Sequence, residues 1–283
     1  MVKLEDYDSD YENQWCPGCG NFGILEAMKN ALVELAIPPH KVLIVSGIGQ
    51  AAKTPHFLKC NTFHALHGRA LPLATGAKVA NHDQTIIVNT GDGDCYGEGG
   101  NHFMHAIRRN LDVAVLAHDN KVYGLTKGQA SPTSDVGMET KAQPHGVVSE
   151  SFNPISVALS LGIGFVARGF SGETAHLSKL IQAAIKHRGF SLIDILQPCV
   201  SFNRINTFGW YKKRVYDLNS EGYSPDNLEK AWQRSREWGE RIPLGIFYIK
   251  EKPTFTDQFE ALESGPLIRR NYDQEKVRLL IKG

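Results

Sequence analysis

Short runs of β-branched and other apolar residues alternate along the chain with longer stretches whose apolar positions recur at helical spacing. The runs Val42–Ser46 (VLIVS), Thr85–Asn89 (TIIVN), Val113–Ala117 (VAVLA), Gly164–Ala167 and Ser191–Leu196 (SLIDIL) predict strands. Helices are predicted over 24–35, 70–81, 101–110, 154–161 and 173–187, with glycine or proline near most of their ends. This alternation marks βαβ units and predicts an α/β fold, a mostly parallel sheet with helices on both faces. Three predicted strands run directly into polar or glycine-rich loops: SGIGQ, TGDGDCYGEGG and HDNKVYGLTKGQ. In open α/β sheets, ligands bind where such loops leave the carboxyl ends of the strands.

From about Asn203 the text turns aromatic and charged (TFGWYKKRVYDL, then LEKAWQRSREWGERIPLGIFYIKEKP), with no further βαβ unit expected. The chain therefore divides into an α/β domain over 1–202 and a C-terminal extension over 203–283. Trp210, Tyr211, Trp232 and Trp238 of the extension either face a partner subunit or cover this chain's own sheet.

Composition narrows the class. The 283 residues carry 31 Lys+Arg against 30 Asp+Glu, so no electrostatic footprint for nucleic acid or an anionic membrane is expected. No apolar stretch approaches the roughly 18–20 residues that span a bilayer, and MVKLEDYDSDYENQW is unlike a signal peptide. The expectation is a cytoplasmic protein. In that compartment its five cysteines are metal ligands or catalytic groups, not bridges.

The sharpest local feature is Gly91-Asp92-Gly93-Asp94 at the end of one apolar run, with Asn120 following Asp92 by 28 residues at the end of the next. Neighbouring parallel strands bring both oxygen ligands to one place. A carboxylate, an amide oxygen and a loop carbonyl such as that of Val122 suit a small hard cation that takes its other ligands from phosphate. The flanking glycines let backbone N–H groups approach a diphosphate, and the helix opening near Asn101 points its positive end there. Alone, an Asp-Gly turn is an ordinary connection; the paired Asn makes it a cation site.

These residues resemble the thiamine diphosphate motif, in which the Asp, the Asn and a carbonyl two residues beyond it hold magnesium on the cofactor's diphosphate. The wider text is more specific: WCPGCGNFG at 15–23, SGIG at 46–49, HALHGRALPLATG at 64–76, GDGDCYGEGGNHF at 91–103 and VYGLTKGQASPTS at 122–134. Together they resemble the β subunit of 2-oxoacid:ferredoxin oxidoreductases over about Trp15–Tyr211. The resemblance implies Mg2+ on Asp92, Asn120 and Val122. It implies thiamine diphosphate against Ile48, Gly49, Gln50, Ala51, His67, Gly91, Gly93, Asp94, Gly124 and Leu125. It also implies catalytic roles for His67, Lys53 and Lys127, where a cation meets a substrate carboxylate or the cofactor phosphates.

The family further implies a [4Fe-4S] cluster on four cysteines. Cys16 and Cys19 form C-P-G-C, and Cys199, in QPC after a predicted strand, matches the last ligand. The third departs: the position directly after SGIG is Gln50, a poor iron–sulfur ligand, so either the cluster is lost or incomplete or another thiolate has moved in. Cys60, ten residues downstream in FLKCNTF, is the expected replacement, with Cys95 the other candidate. Cys95 lies inside the diphosphate motif and is expected to face the cofactor.

The resemblance thus implies one subunit of an enzyme that oxidatively decarboxylates a 2-oxoacid with coenzyme A, giving acyl-CoA, CO2 and reduced ferredoxin. The activating Glu is expected on a separate α subunit, in a heterodimer or a dimer of heterodimers. The text GLTKGQASPTS favours 2-oxoglutarate as substrate, with pyruvate or a branched-chain 2-oxoacid as alternatives. Rival readings are a non-oxidative thiamine-dependent decarboxylase or synthase subunit, and a cluster-binding module without thiamine.

Overall fold

The computed structural model describes residues 1–271 and 273–282. Its strands are β1 (Val42–Ser46), β2 (Asn61–His64), β3 (Thr85–Gly91), β4 (Val113–Asp119), β5 (Val122–Tyr123), β6 (Gln129–Ala130), β7 (Phe165–Phe170), β8 (Phe190–Leu196), β9 (Val215–Asp217) and β10 (Ile242–Ile249). The helices that matter for the site are α1 (Asn21–Glu34), α2 (Ala70–Ala80), α3 (Gly100–Arg109), α4 (Pro154–Ser160), α5 (Thr174–Lys186), α6 (Phe208–Lys212) and α7 (Leu228–Ser235).

Eight strands form one sheet in the order β2-β1-β3-β4-β8-β7-β10-β9. From β2 to β7 every pairing is parallel. All seven residues of β4 and of β8 are buried, as parallel strands covered on both faces must be. Side chains alternate between the faces. Val45, Val88, Val115 and Leu192 pack with the residues of α2, α3 and α4. Ile44, Ile87, Leu116 and Ile193 pack with those of α1 and α5 on the other face. Burying each such side chain contributes about 1.5–3 kcal/mol, so the two layers fix the sheet firmly. The path β2→β3→β4→β7 advances in one direction with α2, α3 and α4 on one face, and β7→β8 reverses with α5 on the other. Every crossover thus keeps one hand, as parallel connections do.

Two segments after 203, β9 and β10, are built into the same sheet. Strand β10 pairs antiparallel with β7, and β9 pairs parallel with β10 across α7, which is a further βαβ unit where none was expected. Strand β9 is only three half-buried residues (VYD) and presents no apolar run to read. Tyr211 is buried against Phe170, at a centroid separation of 5.4 Å, so it covers this chain's own sheet. Trp210 lies beside Trp238, and Trp232 and Trp238 stay partly exposed. Among the described residues no helix is long and apolar enough to cross a membrane.

Candidate functional site

Because β1, β3, β4 and β8 are parallel, their carboxyl ends meet at one edge of the sheet. Strand β3 stops at Gly91, and the chain makes one wide helical turn, Gly93–Glu98, before α3. At the head of that turn Asp92 is buried, and its Oδ2 accepts from Ser131 Oγ at 2.5 Å and Thr133 Oγ1 at 2.7 Å. Both hydroxyls land on the same oxygen and leave Oδ1 the freer one. Thr133 Oγ1 also stands 2.6 Å from Asp119 Oδ1; a single hydroxyl proton serves one of the two carboxylates at a time. Beyond β4, Asn120 Oδ1 accepts from the Val122 N–H at 3.0 Å in an Asx turn, and its carbonyl accepts from Asn203 Nδ2 at 3.2 Å.

Burial, then the charge of Asp119, pushes the Asp92 carboxyl upward against the hydrogen bonds of Ser131 and Thr133. Burial raises Asp119 as well. Buried carboxylates with such mutual repulsion call for a cation. A carboxylate oxygen, an amide oxygen and the Val122 carbonyl are the hard donors that magnesium prefers, so these residues fit that ion and the diphosphate it would carry.

Asp94 braces the loops around this point. Its Oδ1 accepts from the backbone N–H groups of Ile48 at 3.1 Å and Gly68 at 2.7 Å, and its Oδ2 from Thr90 Oγ1 at 2.6 Å. Two glycines make that approach possible. A Cβ on Gly47 would sit 2.0 Å from Asp94 Oδ2. Gly68 has φ +69°, and a Cβ there would lie 2.4 Å from the Glu98 backbone. His67 Nδ1 is 3.0 Å from Asp94 Oδ1 and 3.5 Å from Glu98 Oε2, off the line of a hydrogen bond to either.

All ten positions carried over as cofactor-binding line one pocket of about 450 Å3: Ile48, Gly49, Gln50, Ala51, His67, Gly91, Gly93, Asp94, Gly124 and Leu125. Asp92, Asn120 and Val122 line it too. So do Tyr123 and Thr126, which sequence reasoning missed. Ser131 and Thr133 were also missed, although ASPTS is rich in hydroxyls and both donate to Asp92. Lys53 and Lys127 are not among the lining residues. Lys53 is half-buried in the turn 51–56, and Lys127 is exposed at φ +83° in the tight turn between β5 and β6. Cys95 is buried in the apolar layer with Phe103 and Ile107, and does not face the cofactor pocket as expected.

A second pocket adjoins the first. Cys16, Cys19 and Cys199 line it together with Gln50, Asn120 and Gly124, which also line the first. Ser201 Oγ donates to Cys16 Sγ at 3.1 Å, and Gln197 Nε2 stands 3.5 Å from Cys19 Sγ. Cys60 is elsewhere. It precedes β2, whose Asn61 pairs with Leu43 at the amino end of β1, whereas Cys199 follows the carboxyl end of β8. Its thiol donates to the Asn61 carbonyl and packs against the α1 side of the core, where burial pushes it up to about 12. The expectation that Cys60 joins the other three is corrected, and a cluster on four thiolates does not fit these residues. Among the described residues no three His, Cys, Asp or Glu side chains are grouped to hold a single metal ion.

A parallel sheet that brings Asp92 and Asn120 together at its carboxyl edge fits a thiamine diphosphate-binding domain. Residues 44–195 match the family model described as thiamine pyrophosphate enzyme, C-terminal TPP binding domain. Residues 199–264 match the one that describes the C-terminal part of the pyruvate ferredoxin oxidoreductase beta subunit. A Sulfolobus sp. 2-oxoacid:ferredoxin oxidoreductase subunit beta is 48% identical over 262 residues, covering 88% of this chain and 86% of its own. The 2-oxoglutarate synthase subunit KorB of Methanocaldococcus jannaschii is 34% identical, covering 88% of this chain and 92% of its own. Among solved structures, the Magnetococcus marinus 2-oxoglutarate:ferredoxin oxidoreductase with 2-oxoglutarate, coenzyme A and succinyl-CoA bound superposes with a TM-score of 0.92 at 36% identity. That match covers 100% of this chain and 97% of the other. The chain belongs to the β subunits of the 2-oxoacid:ferredoxin oxidoreductases, thiamine diphosphate-dependent enzymes in which it acts with an α subunit.

Proposed function

We propose that this chain carries magnesium and thiamine diphosphate in a cytoplasmic enzyme that oxidatively decarboxylates 2-oxoglutarate with coenzyme A and ferredoxin. The observation that carries the reading is the pair Asp92 and Asn120, delivered by neighbouring parallel strands, with Ser131 and Thr133 bonded to one oxygen of Asp92. Asp92, Asn120 and the Val122 carbonyl would hold magnesium. When bound, thiamine diphosphate supplies the electron sink for decarboxylation. The chain's own part is placement: Asp94 fixes the loops at Ile48 and Gly68, and Tyr123 and Leu125 line the pocket. The solved relative's bound ligands support 2-oxoglutarate and coenzyme A as substrates here, and its relatives' names support ferredoxin as electron acceptor. The α subunit is proposed to supply the acid that activates the cofactor, in an α/β heterodimer or a dimer of heterodimers. His67 lies where it can meet the cofactor; Lys53 and Lys127 are proposed to meet substrate only once the α partner covers their loops.

The test is co-expression with the α subunit. The complex is expected to reduce ferredoxin when given 2-oxoglutarate and coenzyme A, with a higher kcat/KM than for pyruvate, and the chain alone is expected to be inactive. Aldehyde release without electron transfer would establish the non-oxidative reading instead.

A further inference from the structure

Gln50 and the cysteine pocket disagree with the cluster that the family implies. We propose that Cys16, Cys19 and Cys199 hold an iron–sulfur cluster on three thiolates in this pocket, with Gln50 at the fourth corner and one iron left without a cysteine ligand. The presence of a cluster rests on the oxidoreductase reading; the ligand set rests on the pocket.

Four observations support that ligand set. First, the sulfurs converge from opposite ends of the chain. Cys16 and Cys19 share one turn, closed by the Cys19 N–H on the Cys16 carbonyl at 2.9 Å, and the Gly20 N–H on the Pro198 carbonyl at 3.3 Å ties that turn to the Cys199 loop. Second, two of the sulfurs meet side-chain donors, Ser201 on Cys16 and Gln197 on Cys19, which favour the thiolate a metal requires. Third, Asn21 and Gln197, 0% and 1% exposed, line the pocket and each leave one carboxamide atom without a partner. Buried polar atoms of that kind need a polar occupant. Fourth, the Gln50 carbonyl accepts from Trp15 Nε1 at 2.8 Å, which anchors residue 50 in the wall shared by both pockets.

A lone zinc ion would demand ligands closed round one point, and no such group exists among the described residues. A cluster places each thiolate on a different iron, which suits three cysteines that line one pocket. A carboxamide does not replace thiolate on iron, so the corner facing Gln50 is the exchangeable one.

The experiment uses the α/β complex purified without oxygen, with iron, acid-labile sulfide and thiamine diphosphate measured on the same sample. Under ferricyanide the exposed corner is expected to release one ferrous ion and pass one electron to the oxidant. That leaves a three-iron cluster with its own electron paramagnetic resonance signal, reversed by ferrous ion and dithionite. Gln50→Cys is expected to keep the iron and abolish the conversion. Cys199→Ser is expected to lose this chain's iron while thiamine diphosphate content is retained, and Cys60→Ser to change neither iron nor conversion. The proposal is overturned by iron content unchanged in Cys199→Ser, by zinc in place of iron, by a wild-type cluster that keeps all its iron under ferricyanide, or by iron loss in Cys60→Ser. A complex that reduces ferredoxin with 2-oxoglutarate but holds no iron on this chain removes the cluster and leaves the proposed function standing. A complex with the three-thiolate cluster and no such turnover does the reverse.

Discussion

The diphosphate cradle and the cysteine pocket share Gln50, Asn120 and Gly124 in their walls, yet the chain finishes only one of them. In the cradle the Asp94 carboxylate has three donors and Asp92 two, all between 2.5 and 3.1 Å. In the cysteine pocket the contacts to sulfur are 3.1 and 3.5 Å, and two buried carboxamides leave atoms unpaired. The difference follows from where the residues hang. Asp92 and Asn120 occupy the first positions beyond β3 and β4, whose register is fixed by backbone pairing. The cysteines hang on the segment 15–20 and the loop after β8, outside any strand. A site on strand ends is preorganised; one on loops is completed by its occupant.

Three variants press on that contrast. The largest effect is expected from Gly47→Ala, whose new Cβ would displace Asp94 and free the donors of Ile48, Gly68 and Thr90. Overpacking and the unpaired carboxylate together cost about 3 kcal/mol, read by denaturant unfolding. A stability equal to wild type would mean the cradle is looser than described. Next is Thr133→Val, which removes the hydroxyl between Asp92 and Asp119. Magnesium affinity is expected to fall about 10- to 100-fold with little change in Tm, and unaltered affinity would reduce Thr133 to packing.

The smallest effect concerns Asp194, behind the cradle. Burial, then the charge of Asp119, raises its carboxyl from 3.8 to about 7. Arg168 Nε, 3.5 Å away and without a hydrogen bond, and the Tyr96 hydroxyl offset only part of this. The folded state therefore holds a proton that the unfolded chain has released. The stability this group contributes is present in full below 3.8 and is lost as pH rises toward 7. Asp194→Asn is expected to flatten the stability–pH curve in that window, and an unchanged slope would count against the raised carboxyl.

Much of this architecture was legible in the sequence, for an identifiable reason. Strands covered on both faces are nearly continuous apolar runs, so VLIVS, TIIVN, VAVLA and SLIDIL announce themselves, and the central elements fall within a few residues of their predicted bounds. Strand β2 (NTFH) is polar and exposed at the sheet edge, and β9 (VYD) is three residues long, so neither leaves a hydrophobic signature. The residues of the proposed cradle, Asp92 and Asn120, were readable because they sit at motif positions immediately after strands. Cys60 misled because distance along the chain does not say which end of a sheet a residue occupies: the ten residues from Gln50 lead back to the amino edge, where β2 begins. Ser131 and Thr133 escaped because a hydroxyl's partner across a loop has no sequence period.

The central claim is that Asp92 anchors the cation that holds thiamine diphosphate on this chain. Its most direct test is a calorimetric titration of thiamine diphosphate into the α/β complex, with and without magnesium, for wild type and Asp92→Ala. Binding is expected to be saturable and magnesium-dependent in the wild type and weakened by more than about 100-fold in the variant, beyond what loss of an outer partner costs. Equal, magnesium-dependent affinity in both proteins would contradict the account.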